Sequence, residues 1–297
     1  MKNSARFFPS ASAWAKASIV AVAAFAFTVT PAIAARIHVK ISAPAAAIDA
    51  YQNWTAGVAW DQITNFKNAN AMRPVVDLVL ELQALKAGGL DFDFELVRTL
   101  TYDLAKKQLA EGRVELTAET IWETEIDSSL MLKTDAVIRH GEFVKGVYVL
   151  PGNQKLLGIS SLGELQANTG GVVATWGLDV KTMEEMKLKA LTKSPTPEVI
   201  FTNIQKQQVD FVLWEFSNNA DMSVVLAGVK LVPVPNSKVA IMGSRAWVVS
   251  KASPNADAVY KALAAGTKIL RDNGTIERAY KESGFHNPRV ADWKRLF

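Results

Sequence analysis

From residue 37 to the end of the chain, segments with an alternating apolar pattern take turns with segments of helical spacing, and this constrains the fold more than any other feature. Residues 37–43 (IHVKISA) read as a first strand, and 74–86 (PVVDLVLELQALK) as a helix stopped by Gly88 and Gly89. A strand over 93–100, a helix over 103–110 ended by Gly112, and a strand over 113–122 (RVELTAETIW) follow. Between the first strand and the first helix, a stretch carrying Trp54 and Trp60 has little periodicity. The middle repeats the theme: a strand at 143–150 (FVKGVYVL) and a short helix at 161–166, whose Ser160-Ser161 start and Glu164 match a capping box. Next come a strand at 171–176, a helix at 181–191, a helix or strand at 197–206, and a strand at 209–216 (VDFVLWEF). Strands at 231–234 and 246–250 precede two closing helices, 255–271 and 276–283, stopped by Gly274 and Gly284. Such a chain is an α/β protein.

At 49% hydrophobic and 21% charged residues the chain is globular, and its 297 residues suffice for one large or two modest cores. Cysteine is absent, which excludes disulfides, thiolate metal sites and acylated cysteine anchors, and only three histidines, His38, His140 and His286, are present. Residues 1–34 read as a secretory signal: Lys2, Arg6 and Lys16 precede the apolar run 17–29 (ASIVAVAAFAFTV), and Ala32-Ile33-Ala34 offers a cleavage site after Ala34. The expected location is the periplasm. Cleavage would remove three Lys and Arg and no acidic residue, taking the net charge from +4 to +1. No basic field then remains for nucleic acid or an anionic membrane.

One internal echo links the halves. Residues 109–123 (LAEGRVELTAETIWE) and 204–215 (IQKQQVDFVLWE) both pass from a helix end through a Val-acid pair and a β-run to Trp next to Glu. The echo suggests two similar lobes, each sending a strand end to a common point. In open α/β sheets ligands bind beyond such strand ends, which makes Trp122, Trp176 and Trp214 candidate walls of a site. Trp54 and Trp60 could cover it. Glu123 and Glu215, each beside a tryptophan, are the charged candidates, and an acidic, indole-walled site would favour an amino-bearing or cationic ligand. Each of these residues has a plainer reading, as core packing for the indoles and as solvated carboxylates for the glutamates. No Walker A, HExxH, EF-hand or dinucleotide pattern occurs, and residues 158–163 (GISSLG) miss the nucleophile-elbow spacing by one residue. No cofactor or metal is expected.

The stretches GRVELTAETIW, SSLGELQANTGGVVATWG and QQVDFVLWE, and the C-terminal run from Ala246 to Phe285 with its Arg-Asp-Asn-Gly-Thr-Ile turn at 271–276, resemble the family 3 solute-binding proteins. These are the periplasmic receptors of polar amino acid-type uptake systems. The resemblance implies a two-lobed type II periplasmic-binding-protein-like fold with two crossover strands. Lobe 1 would comprise 35–138 and 241–297, lobe 2 would comprise 139–240, and ligand would lie between them. It also implies that Glu215 pairs with a ligand amino group. The arginine that the family places just after the strand matching 114–122 is missing, since that segment reads IWETEI. Its loss speaks against a plain α-amino acid, because a ligand carboxylate would meet Glu123.

The leading reading is therefore a monomeric binding protein, not an enzyme, that captures a small polar solute for a membrane permease or sensor. An accessory or sensory protein with a degenerate cleft, acting through a protein partner, is the alternative. An enzyme on the same fold would need a general acid or base in the cleft, for which Glu123 is the candidate.

Overall fold

The computed structural model describes residues 36–297, so the export signal read at 1–34 lies outside the described residues. The first lobe grows around β1 (Ile37–Pro44), which runs straight into α1 (Ala45–Thr55). After α2 (Arg73–Ala87), β2 (Phe92–Thr99) pairs parallel to β1 along its whole length, from Ile37 opposite Phe92 to Pro44 opposite Thr99. After α3 (Tyr102–Ala110), β3 (Leu116–Thr117) takes β1's other side, also parallel. The short β4 (Ile121–Trp122) and then β5 (Met131–Lys133) complete this passage.

The chain then crosses to the second lobe. Its sheet contains β6 (Val144–Val149), β7 (Thr169–Val173), β8 (Ala190–Ser194), β9 (Phe211–Trp214), β10 (Val224–Leu226) and β11 (Val229–Ala240), in the order β10-β11-β6-β9-β7-β8. Within this order both pairings of β7 are parallel and those among β10, β11, β6 and β9 antiparallel. Helices α4 (Gln154–Leu157), α5 (Leu162–Gln166), α6 (Gly177–Glu185) and α7 (Pro197–Gln205) connect these strands. On its return the chain forms β12 (Arg245–Ala246) against β4, and β13 (Val248–Ser250) slots between β3 and β5. It then makes α8 (Ala256–Asp272) and α9 (Thr275–Ser283) on the first lobe. Gly274 and Gly284 flank α9 at φ 75° and 86°, a conformation that favours glycine.

Helix α2 is the centre of the first lobe. Val75, Val76, Leu78, Val79, Leu80 and Leu82 are all fully buried, which describes a helix covered on nearly every side. α8 crosses it closely enough that a Cβ at Gly266 would run into the Ala84 carbonyl. Among the described residues no helix is long and apolar enough to cross a membrane.

Several local expectations need correcting. The aperiodic stretch after β1 holds α1, whose buried Ala47, Ala50, Tyr51 and Trp54 do follow helical spacing, a stripe made faint in the sequence by its small alanines. The strand read over 113–122 is broken into β3 and β4, because at Glu119 and Thr120 the chain turns its polar groups toward α2 instead of a neighbouring strand. The helix read over 181–191 ends at Glu185, and β8 follows as a largely exposed edge strand whose polar sequence (ALTKS) hides its pairing. Residues 241–297, assigned by sequence to the first lobe, do not all stay there. After Gly284 the tail returns to the second sheet, where β14 (Lys294–Arg295) pairs with β11 at Ser237 and Lys238.

Candidate functional site

Between the two lobes lies a cavity of about 70 Å³, lined from the first-lobe side by Arg73, Tyr102, Trp122, Glu125 and Arg245. Phe143, Lys145, Trp176, Asp179 and Glu215 close it from the other side. It is small, aromatic and densely charged.

Arg73 opens α2, with Pro74 in the first turn and no side-chain cap. One helical turn on, Asp77 falls on the same face, and so does Glu81 a further turn along. The Arg73 guanidinium, only 8% exposed, spends its three nitrogens on three carboxylates. Nε donates to Glu215 Oε1, Nη1 to Asp77 Oδ2 and Nη2 to Glu119 Oε2, each at 2.9 Å. Asp77 is itself held by the Thr120 backbone N–H and hydroxyl at 3.1 and 3.0 Å, and by the Tyr280 hydroxyl at 2.6 Å. Burial acts to lower the Arg73 pKa, but Glu215, Asp77 and Glu119 outweigh it and hold the guanidinium well above its usual value. Burial likewise acts to raise Glu215, yet Arg73, Lys145 and Arg245 keep its carboxyl below the usual range. Glu81 is completely buried with no partner for either oxygen among the described residues, and burial followed by the Asp77 charge pushes its pKa well up, so it is held as the neutral acid.

The other cations lie over rings. Arg245, opposite Trp122 in the β12–β4 pair, stacks 4.6 Å from the Trp122 ring centre and donates through Nε to the Thr120 hydroxyl at 3.0 Å and through Nη2 to the Thr120 carbonyl. Lys145 sits 4.8 Å above the Trp176 ring and is ion-paired to Asp179. Glu125 accepts from the Tyr102 hydroxyl at 2.9 Å and from Lys106 at 2.8 Å. The aromatic faces that a cationic ligand would seek are thus occupied by the chain's own cations.

Of the residues singled out by sequence, Trp122, Trp176 and Glu215 meet at this cavity. Glu123 does not. After Trp122 the chain enters a 3₁₀ turn over Glu123–Glu125, so the residue three positions on, Glu125, shares Trp122's face while Glu123 points away to Lys133 at 2.5 Å. The candidate general acid or base is therefore absent from the cleft. Trp214, one residue before Glu215 on a strand, faces the opposite side and packs on Phe201 and Trp176, with ring centres 5.1 and 5.8 Å away. Trp54 and Trp60 cover no cleft: Trp54 is buried against Phe66, and Trp60 packs on Phe92 and Phe94 in the first-lobe core.

Arg73, Arg245, Lys145, Asp179 and Glu125 are the site residues that sequence reasoning missed. The signal for Arg73 was present: Arg73, Asp77 and Glu81 recur every four residues in an otherwise apolar helix (RPVVDLVLELQALK), a charged stripe where a central helix should carry none. Arginine missing from 121–126 is replaced in space by guanidinium groups from two other elements. Among the described residues no group of three or more His, Asp or Glu is arranged to hold a metal ion, and Asp77, Glu119 and Glu215 converge on a guanidinium instead.

No family model matches the chain, and no curated protein matches its sequence. Solved structures do match its architecture. The "probable amino-acid ABC transporter extracellular-binding protein ytmK" of Bacillus subtilis is 12% identical with a TM-score of 0.55, the alignment covering 84% of this chain and 97% of that one. A periplasmic His/Glu/Gln/Arg/opine family-binding protein of Silicibacter pomeroyi, in complex with lysine, is 14% identical at TM-score 0.53 over 84% and 98% of the two chains. The periplasmic VFT2 domain of Bordetella pertussis BvgS is 12% identical at 0.52 over 83% and 93%. The protein has the two-lobed type II periplasmic-binding-protein fold, the architecture of the solute-binding proteins that its sequence resembles.

Proposed function

We propose that the protein is a periplasmic solute-binding protein that captures a small polar, amino-bearing solute between its lobes and presents it to a membrane transporter. The observation that carries this reading is the meeting of cations and carboxylates from both lobes inside one aromatic-walled cavity. Gathering so much buried charge at a mere packing junction would cost stability for no return. Glu215 is the group for a ligand amino function, which would take the place of the Arg73 Nε–H. Arg245 and Lys145 provide for a carboxylate, so an amino acid-type zwitterion suits the site as well as a simple cation. Small-molecule sites usually enclose roughly 300–1,000 Å³, several times the 70 Å³ present between the closed lobes, so binding requires the lobes to part.

Thermal unfolding of the protein from Ala35 onward, against amino acids, polyamines, quaternary amines and organic acids, tests the reading. A true ligand at a hundred times its dissociation constant stabilises by about 2.7 kcal/mol. That shift should vanish in Glu215→Gln and in Trp122→Ala. A flat response across the panel sinks the proposal.

The small cavity, with its charges satisfied internally, favours one second reading: a sensory or accessory protein whose cleft no longer takes a solute and which acts through a protein partner. Pull-down of a membrane sensor by a chain that ignores the whole solute panel would support it.

A further inference from the structure

A second cavity lies at the hinge and encloses about 570 Å³, within the range of small-molecule sites. Its walls come from both connecting segments, around Val137–Val144 and at Lys238, from the α8–α9 corner, and from the tail after Gly284. Val137, Val144, Ile276 and Val290 give it an apolar side.

The polar side is short of acid. Arg271 sends Nη2 to the carbonyls of Ala136 and Val137 at 2.5 and 2.6 Å, while its Nε is buried with no partner among the described residues. Among the described residues Lys238 Nζ reaches only the carbonyls of Val290 and Ala291, at 2.6 and 2.7 Å. The exposed Arg139 guanidinium has no hydrogen bond or ion pair among the described residues. Lys281 is neutralised by Glu277 at 2.6 Å, and Glu142 accepts the Arg139 backbone N–H at 2.7 Å. Three cations therefore face one carboxylate that no cationic side chain claims. His286 adds a buried Nε2 without a partner among the described residues, and burial lowers its pKa so that the ring is neutral at neutral pH. A buried N–H without an acceptor costs about 1–3 kcal/mol, which a bound acceptor would relieve.

We propose that this hinge cavity binds a small organic anion, a carboxylate on an apolar body, with Arg271 and Arg139 taking the carboxylate and the Val137–Val144–Ile276 side taking the body. Its occupant would also bear on the cleft. Tyr280 lines the cavity with its ring while its hydroxyl holds Asp77, the partner of Arg73. Val144 lines it one residue before Lys145. An anion seated there selects the hinge geometry that forms its walls.

Benzoate is the probe, with inorganic phosphate as a control for charge alone, titrated by calorimetry into the protein from Ala35 onward. Saturable benzoate binding, weakened at least tenfold in Arg271→Gln and again in Arg139→Gln, is the expected result. Arg139 is exposed, so its substitution leaves folding intact and keeps the test open if Arg271→Gln unfolds. Three results would overturn the proposal: no saturable benzoate binding, binding that survives both substitutions unchanged, or phosphate binding as tightly as benzoate.

Discussion

Arg73 stands at the positive end of α2, where the helix dipole disfavours a cation, and it is nearly sealed from water. Three carboxylates hold it there, and they depend on it in turn. Arg73→Met leaves Asp77, Glu119 and Glu215 without their shared cation. Removing one partner of a buried ion pair costs roughly 3–5 kcal/mol, so the urea midpoint of this variant should fall steeply. Glu81, two turns along, has the opposite character. Unfolded, it loses its proton near pH 4.5, whereas in the fold it keeps the proton to much higher pH. Unfolding at neutral pH therefore releases a proton, and the Glu81 contribution lowers stability as pH rises beyond 4.5. Glu81→Met should raise the melting temperature by several degrees at pH 7.5, from a gain of about 1–3 kcal/mol, and by clearly less at pH 4. Equal gains at both pH values would mean that the acid is not held neutral. These two residues show why the site was only partly legible. The tryptophans and Glu215 announced themselves beside strand ends, but Arg73 fell one residue before the helix read over 74–86 and Arg245 one residue before the strand read over 246–250, so neither was weighed as part of a site.

At the scale of elements, the internal echo was real and more literal than its letters suggest. In the first lobe Glu115 donates its backbone N–H to the Lys40 carbonyl at 2.9 Å, and its carboxylate accepts the Lys40 N–H at 2.8 Å. In the second, Asp210 donates its N–H to the Thr169 carbonyl at 2.9 Å and accepts the Thr169 N–H on its carboxylate at 2.7 Å. The acid of each Val-acid pair thus fixes the register of a neighbouring parallel strand. The Trp-Glu ends then fall out of phase. β4 presents its tryptophan to the cavity and is followed by a 3₁₀ turn that carries Glu123 away, whereas β9 turns its tryptophan aside and Glu215, just past its end, lines the cavity. Sequence periodicity locates strands and helices well where one face is apolar, as at α3, α8 and α9, and poorly where pairing is polar, as at β8. The close α2–α8 crossing was invisible, since it rests on two missing Cβ atoms, at Gly266 against the Ala84 carbonyl and at Gly88 against the Ala262 carbonyl. Gly266→Ala forces a methyl against the Ala84 carbonyl, and overpacking of this kind costs about 1–3 kcal/mol. That loss outweighs the helix-propensity gain of about 1 kcal/mol that alanine brings, so the variant should melt lower than the parent. A higher melting point would show that the two helices can part freely.

The whole molecule departs from a simple two-crossover hinge in its tail. Besides the two connecting segments, the residues after Gly284 form a third link from the first lobe to the second. Leu296 N–H donates to the Lys238 carbonyl at 2.8 Å, and Trp293 packs edge-on against Phe216 with ring centres 5.6 Å apart. Arg289 donates to the carbonyls of Ser217, Asn219 and Ala220 at 2.8–3.2 Å, all in the loop beyond β9. Glu215 lies in the same stretch, so the strap and the Arg73–Glu215 pair restrain the same part of the second lobe. Opening must stretch or release both. Cutting the strap alone, with Arg289→Ala and Trp293→Ala together, should widen the solute-free protein while leaving the cleft chemistry untouched. A chain of this length packed into one body has a radius of gyration of about 18 Å. Small-angle scattering should place the parent near that value and the double variant measurably above it, with the excess lost when a solute closes the lobes. Identical scattering curves for the two proteins would mean that the tail bears no load, and that Arg73 with its three carboxylates holds the lobes together unaided.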